Sequence, residues 1–131
     1  MAKRLRLVTE SAGTLTIELV EGRNPRTASA VWEALPIESK AQRWGDEVYF
    51  EIPVLVELEN PQVEVEVGDV AYWPMGRCMC VFFGRTPASK GDKPRAYSPV
   101  NVFGKVVGDA KILKAVKEGE KMKVEKLSLT F

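Results

Sequence analysis

The stretch NVFGKVVGDAKILKAV, residues 101–116, decides the fold of this chain. Its first part is an apolar strand that stops at Gly104, and its second part begins one residue after Gly108 with the apolar spacing of a short amphipathic helix. We therefore predict a strand that ends at Gly104 and a short helix that follows Gly108.

Length and charge limit the class of protein. The chain has 131 residues, so we expect one domain over residues 1–131. Lys and Arg total 19 against 18 Asp and Glu, a net charge of +1, which gives no strong field to attract nucleic acid or an anionic membrane. Apolar runs such as Cys78–Phe83 are far shorter than the roughly 20 residues of a membrane helix.

The start of the chain and its overall composition suggest a location and a source. Residues 1–8 alternate charged and apolar side chains and lack the apolar block of a secretory leader, so a cytoplasmic protein is expected. The composition is rich in Glu, Lys and Val, which hints at a thermophilic organism.

The chain has no histidine and two cysteines, Cys78 and Cys80. Cysteines two apart in a strand point to one face, so a mutual disulfide is awkward and both are interpreted as core thiols. A zinc site needs more ligands than these, and nucleophile or base arrangements that depend on histidine are excluded. We expect no metal and no cofactor.

The first half of the sequence predicts two hairpins and a helix. Alternating apolar residues over 5–7 and 15–19, with a turn at 11–13, predict the first hairpin. Asn24-Pro25 predicts a helix start, because Asn can cap free amides and Pro suits the first helical position. The helix should run from Pro25 to about Ala34. Residues 37–53 predict a second hairpin that turns at Gly45-Asp46, with Val48, Phe50 and Ile52 pointing inward.

The second half predicts further strands around one long loop. Residues 63–67 alternate Val with Glu, residues 70–73 and 78–83 are short apolar strands, and residues 84–99 predict the longest loop. The last strand, residues 122–131, changes phase, which predicts a bulge near Glu125 or Lys126. About eight short strands and two short helices favour a closed β-barrel, because closure removes exposed edges.

Three segments resemble cyclophilins, the prolyl isomerases. They are NPRTA at 24–28 with its helix, VFF at 81–83, and VFGKV at 102–106 with the helix that follows. The pattern GDVAYWP.GR....FFG.TP.S over residues 68–89 is similar to a group of small prokaryotic cyclophilin-like proteins of uncertain function. The resemblance implies an all-β, closed eight-stranded cyclophilin-like barrel with two short capping helices.

The departures from cyclophilins bear on activity. The resemblance places Phe50 where cyclophilins carry the arginine that hydrogen-bonds near the prolyl nitrogen, and Val81 where they carry a groove glutamine. A phenyl ring cannot donate that hydrogen bond, so the electrostatic part of the catalysis is missing unless another guanidinium reaches the same point. Phe83 keeps the place of an apolar groove residue.

The resemblance implies a ligand groove, and each of its residues also has an ordinary structural interpretation. Arg77 could substitute for the missing arginine or anchor an anion, or it could be a solvated turn residue. Tyr72 and Trp73 are adjacent in one strand and should face opposite sides of it, and the same holds for Phe82 and Phe83. Glu51 beside Tyr49 is a weak candidate for proton transfer, and Glu57, Glu59, Glu64 and Glu66 could in principle hold a cation. The candidate groove comprises Phe50, Tyr72, Trp73, Arg77, Phe83, Thr86 and Tyr97.

Three functional hypotheses follow. The first is a cyclophilin-like domain that binds a small molecule or an extended proline-containing peptide without efficient isomerase chemistry. The second is a weak peptidyl-prolyl isomerase in which Arg77, Arg85 or Arg95 takes the vacated place. The third is a homo-oligomeric interaction module that pairs through residues 63–67, so the expected state is a monomer or a weak homo-oligomer.

Overall fold

The computed structural model describes residues 3–127, and this part of the chain contains ten β-strands, one α-helix and one 3-10 helix. The strands are β1 Arg4–Thr9, β2 Thr14–Leu19, β3 Ile37–Lys40, β4 Gln42–Arg43, β5 Glu47–Glu51, β6 Gln62–Glu64, β7 Asp69–Trp73, β8 Cys78–Phe82, β9 Arg95–Val107 and β10 Lys121–Lys126, and the helices are α1 Pro25–Ala34 and the 3-10 helix Ala110–Ala115.

Antiparallel pairing joins the strands into one sheet in the order β3-β10-β1-β2-β9-β7-β8-β5-β4, with β6 paired to β9. Within residues 3–127 no ladder joins β3 to β4, so the prediction of a sheet closed by hydrogen bonds is not confirmed. The two end strands are instead consecutive in the chain, separated only by Ala41. The amide of Ala41 donates to the Glu120 carbonyl at 2.8 Å, and its carbonyl accepts from the Gly119 amide at 2.7 Å. The sheet therefore returns on itself through the backbone.

Strand alternation produces the main core. Leu5, Leu7 and Ile17 are fully buried on the inner face of the first hairpin, as predicted, and Val48 and Phe50 point inward from β5. The predicted second hairpin is divided, because β3 pairs with β10 and only β4 pairs with β5. The structure also has ten strands where about eight were predicted, because short segments such as β4 and β6 form separate strands.

Strand β9 is thirteen residues long and extends into the predicted loop of residues 84–99. Residues 101–107 pair with β7 and β2, so the strand continues past Gly104, where it was predicted to stop. The earlier part of the strand pairs only with β6. Pro99 is tolerated in this earlier part because few ladder hydrogen bonds are needed there. We call residues 95–100 the β9 arm. The arm covers a second, smaller core on the outer face of β7 and β8, formed by Val65, Ala71, Cys78, Cys80, Phe82, Ala96, Val100 and Val102.

Helix α1 has the predicted bounds but not the predicted cap. Asn24 stands at the N-cap position, yet its side chain makes no capping hydrogen bond. Its amide nitrogen donates to the Val102 carbonyl at 2.7 Å, and its amide oxygen accepts from the Asn60 amide at 2.7 Å. The Glu59 carboxylate instead accepts from the first amides of the helix, those of Arg26 and Thr27. Burial of Asn24 between two segments diverts its side chain from the helix.

The predicted second helix is a single 3-10 segment, in which Asp109 accepts a hydrogen bond from the Lys111 amide. Strand β10 pairs with β1 in unbroken register through Lys126, so no bulge occurs at Glu125 or Lys126. The remaining predicted strand residues, 128–131, lie outside the described residues. In the described range, neither helix has the length and hydropathy needed to cross a bilayer.

Candidate functional site: an aromatic pocket

A cavity of about 250 Å³ opens on the outer face of the sheet, next to the β9 arm. Strands β5, β7, β8 and β9 and the turn between β4 and β5 supply its walls. We call it the aromatic pocket, and its lining residues are Trp44, Glu47, Tyr49, Trp73, Cys80, Ala96, Tyr97 and Val100.

Strand alternation explains which side chains reach the pocket. On β5, Val48 and Phe50 enter the main core, so Glu47 and Tyr49 point to the opposite face. Cys80 on β8 lies directly across from Tyr49 in the ladder and faces the same way. The outer face of a sheet usually meets water, but here the β9 arm converts it into a cleft.

The aromatic side chains form a chain of edge-to-face contacts. Ring centroids lie 6.0 Å apart for Trp44 and Tyr97, 6.1 Å for Trp73 and Tyr97, and 6.2 Å for Tyr49 and Trp73. The interplanar angles are between 79° and 90°, so neighbouring rings are nearly perpendicular. The indole Nε1 of Trp73 donates to Ser98 Oγ at 2.6 Å, which fixes that ring. Tyr97 is 69% exposed and forms the rim.

Glu47 is the only acidic or basic side chain in the lining formed by the described residues, and it is 5% exposed. Burial raises the pKa of Glu47 from 4.5 to about 7, and a hydrogen bond with the Cys80 thiol works against this rise. The carboxyl is therefore divided between its two protonation states near neutral pH. A buried carboxyl with a shifted pKa inside a concave pocket is a typical mark of a functional site.

The two cysteines are free and buried. Burial raises the pKa of the Cys78 thiol to about 11, and burial also raises that of Cys80 well above its ordinary value, with the Glu47 carboxylate adding to the effect. Because the thiolate is the nucleophile, these thiols are unreactive at neutral pH.

The structure separates the predicted groove residues into different places. Trp73 and Tyr97 line the aromatic pocket. Phe50, Tyr72 and Phe83 are fully buried in the main core, where the Tyr72 hydroxyl donates to the Val54 carbonyl. Tyr72 and Trp73 do face opposite sides of β7, and Phe82 and Phe83 lie in different cores.

Thr86 is buried beneath the loop that precedes β9. Its hydroxyl donates to the Arg95 carbonyl, and its amide donates to Ser89 Oγ at 3.0 Å. Ser89 Oγ in turn donates to the Lys93 carbonyl at 2.8 Å. These contacts fix the start of the β9 arm, so Thr86 shapes the pocket without lining it.

Arg77 lies at a second cavity of about 530 Å³, lined by polar and exposed residues together with the buried Ile52 and Val54. It is an exposed turn residue with φ of 55°, and its carbonyl accepts from the Ile52 amide. Glu38 and Glu51 share this cavity with it. Among the described residues, none of Arg77, Arg85 and Arg95 lines the aromatic pocket.

Two of the other acidic residues singled out from the sequence have side-chain partners. Glu59 caps helix α1, and Glu66 forms an ion pair with Lys93 at 2.9 Å. In residues 3–127 no three His, Cys, Asp or Glu side chains gather in a way that could hold a metal ion.

Sequence reasoning missed Trp44, Glu47 and Cys80 as pocket residues. In the sequence, Glu47 and Glu51 have the same phase on one strand, yet Glu51 is exposed and Glu47 is buried. The distinction arises from the β4–β5 turn and the β9 arm, which close over one end of β5 only. Strand phase could have shown that Glu47 and Tyr49 share a face, but not that this face is covered.

A wrapped antiparallel sheet with one α-helix is the architecture expected of a cyclophilin-type domain. The family model described as Cyclophilin-like matches residues 3–125, and the chain belongs to this family. The mostly β, cyclophilin-like fold predicted from sequence is thereby confirmed, whereas closure of the sheet by hydrogen bonds is not. A hypothetical protein from Archaeoglobus fulgidus with a solution structure is 46% identical, with a TM-score of 0.81 over 96% of this chain and 95% of that one. None of the curated proteins matches this chain.

Proposed function

We propose that the aromatic pocket binds a ligand, either a small molecule or an extended proline-containing peptide, and that the protein has no efficient isomerase chemistry. The carrying observation is a concave, mainly apolar cavity with four aromatic residues around one buried carboxyl group. Pockets of this kind hold organic ligands by apolar contact and orient them with few polar groups. Aromatic grooves also accept proline rings, because a polyproline segment loses little entropy on binding.

The weak isomerase is the second candidate, and the arrangement of cations speaks against it. Catalysis of this type needs a donor aimed at the prolyl amide. Phe50, which occupies the arginine's place in the resemblance, lies in the main core. Among the described residues, none of the arginines considered as substitutes lines the aromatic pocket. The groups that face the pocket from β5 are a carboxyl and a phenol, neither of which carries a positive charge.

The oligomeric module is the third candidate. Strand β6 is only three residues long and pairs with the β9 arm. Val65 is buried in the second core, while Val67 is 43% exposed. A short strand offers few hydrogen bonds to another copy. Light scattering tests this hypothesis, and a stable dimer abolished by Val67→Lys would support it over ligand binding.

Binding is tested by thermal shift and by NMR titration with small-molecule and proline-containing peptide libraries. We expect the ligand to shift the Trp44 and Trp73 indole signals. In Tyr97→Ala these ligand-induced shifts should be lost, because the variant removes the exposed ring at the rim of the pocket and leaves the core intact. Leu55→Ala, at a residue that is 78% exposed beside the second cavity, is the matched control and should bind normally. Ligands that perturb the second cavity and leave the indole signals unchanged would refute the assignment.

Isomerase activity is tested by a protease-coupled prolyl isomerisation assay. We expect wild type and Arg77→Ala to show the same rate as the uncatalysed reaction. If wild type catalyses the isomerisation and Arg77→Ala does so more slowly, the isomerase hypothesis replaces the binding proposal.

A further inference from the structure

Resting on the proposed function of the same pocket, we propose that its ligand is an organic cation, an alkylammonium group held by the aromatic rings and by the Glu47 carboxylate. A neutral proline-containing segment would use the rings alone. The proposal stands on the placement of one buried carboxyl group inside an aromatic cavity.

The charges around Glu47 leave room for an external cation. Around Glu47, β8 contributes the Cys80 thiol to the pocket lining, β5 the Tyr49 phenol and the β9 arm the Tyr97 phenol. Asp46 precedes Glu47 in the chain and adds negative charge. None of these groups is a cation, and Arg95 of the β9 arm does not line the pocket.

The guanidinium of Arg43 on β4 has partners other than Glu47. It donates to the carbonyls of Gly45, Lys114 and Val116, lies 3.8 Å from Asp46 Oδ1, and stacks 5.1 Å from the centre of the Phe83 ring. An ionised Glu47 therefore has no positive charge among the pocket's lining residues. A desolvated carboxylate without a countercharge is unfavourable, and a bound cation would supply one.

The rings suit the same kind of ligand. Aromatic faces attract ammonium groups, most strongly when tryptophan contributes and when water is excluded. Two tryptophans and two tyrosines line the pocket, and successive rings are nearly perpendicular, so they surround a space from several directions. A cavity of about 250 Å³ accommodates a trimethylammonium group with a short chain. An uncharged ligand of that shape would leave the Glu47 carboxylate buried and unpaired.

The test compares choline with 3,3-dimethyl-1-butanol, which has the same shape but no charge, by isothermal titration calorimetry. We expect choline to bind at least roughly tenfold more tightly at pH 8, which is the effect of one charge-assisted interaction. Glu47→Gln should reduce the choline affinity by roughly tenfold or more and leave the alcohol unaffected. Glu51→Gln, at an exposed position on the same strand, should bind choline normally.

The pH dependence gives a second readout that needs no variant. Choline does not titrate near neutrality, so its affinity should follow the ionisation of Glu47. The affinity should be constant above about pH 7 and fall by up to about tenfold per pH unit below it, because a protonated Glu47 must first lose its proton. A pH-independent choline affinity would overturn the proposal even if Glu47→Gln failed to fold.

The outcomes separate this inference from the proposed function. If the alcohol or proline-containing peptides bind in the pocket and choline binds no better, the cation proposal is wrong and the binding function stands. If none of these probes binds in the pocket, the cation proposal is wrong, and failure across the ligand libraries as well refutes the binding function.

Discussion

Glu47 shows how one buried residue can oppose stability. Its carboxyl is 5% exposed, and burial raises its pKa from 4.5 to about 7. The folded protein therefore holds this proton more tightly than the unfolded chain does. The stabilisation associated with that proton is fully present below pH 4.5 and is lost as the pH rises through about 7.

We predict that Glu47→Gln removes this loss of folding stability at high pH. A pKa displaced from 4.5 to about 7 corresponds to about 3 kcal/mol at pH 8. The variant should gain stability relative to wild type by up to this amount at pH 8, and the gain should shrink toward pH 4.5. Urea unfolding at several pH values measures the difference, and Glu51→Gln is the control. Parallel stability curves for Glu47→Gln and wild type would contradict the assignment.

Gly104 allows three strands to approach each other in the stretch that identifies the family. A Cβ atom there would lie 3.0 Å from Ile17 Cγ2, 3.2 Å from the Glu18 carbonyl oxygen and 3.4 Å from Val70 Cβ. The Glu18 backbone and the β-branched side chains of Ile17 and Val70 cannot easily move away from an added Cβ atom. The glycine is required by packing between β2, β9 and β7.

We predict that Gly104→Ala destabilises the protein by about 1–3 kcal/mol, the usual effect of overpacking. Gly91→Ala is the matched control, because a Cβ at Gly91 meets no atom within 4 Å. Denaturant unfolding should show a lower midpoint for the first variant and no more than about 0.5 kcal/mol of change for the second. Equal midpoints would mean that β2 and β7 can move apart.

At the scale of the elements, helix α1 depends on a distant segment for its N-terminus. The Glu59 carboxylate accepts from the Arg26 amide at 3.0 Å and from the Thr27 amide and hydroxyl at 3.2 and 3.1 Å. Partial burial acts to raise the pKa of Glu59, but these hydrogen bonds outweigh it and lower the pKa below 4.5. The helix and the segment before β6 therefore stabilise each other.

We predict that Glu59→Ala lowers stability by about 1 kcal/mol, as loss of a helix cap does. The loss should appear above about pH 4.5 and diminish at lower pH, where protonation of Glu59 weakens the cap in wild type as well. Glu57→Ala is the control, because Glu57 contributes its carbonyl, not its side chain, to the contact with Asn101. Hydrogen exchange at Arg26 and Thr27 should rise only in Glu59→Ala.

At the scale of the whole molecule, Arg43 ties the β4 end of the sheet path to the segment that precedes β10. Its guanidinium joins the β4–β5 turn to two carbonyls at the end of the 3-10 helix, at 3.2 Å for Lys114 and 2.9 Å for Val116. Its own amide donates to the Glu118 carboxylate at 2.9 Å. Side-chain contacts thus supplement the backbone where no strand ladder closes the sheet.

We predict that Arg43→Lys destabilises the fold by roughly 1–3 kcal/mol, because an ammonium group cannot replace the planar set of donors. Amide exchange should increase in residues 110–120 and in β4. Arg85→Lys, at an exposed position, should change neither quantity. If amide hydrogen exchange is unchanged in Arg43→Lys, the backbone contacts of Ala41 are sufficient to hold this end of the sheet in place.

The amino-acid sequence by itself determined the first hairpin, the bounds of helix α1 and the family. Alternation placed Val48 and Phe50 inside, Asn24-Pro25 marked the start of α1, and residues 101–116 identified the cyclophilin-like fold. These features depend on local spacing and on residue type, which a sequence states directly.

The tertiary structure alone decided the pocket, the helix cap and the manner of closure. Glu47 and Glu51 are equivalent in the pattern of β5, and only the covering β9 arm and the Trp44 turn make one of them a buried carboxyl. Asn24 had a capping partner nearby but bonds to a strand 78 residues away. Such outcomes follow from which distant segments meet, because desolvation and hydrogen-bond competition are set by neighbours in space.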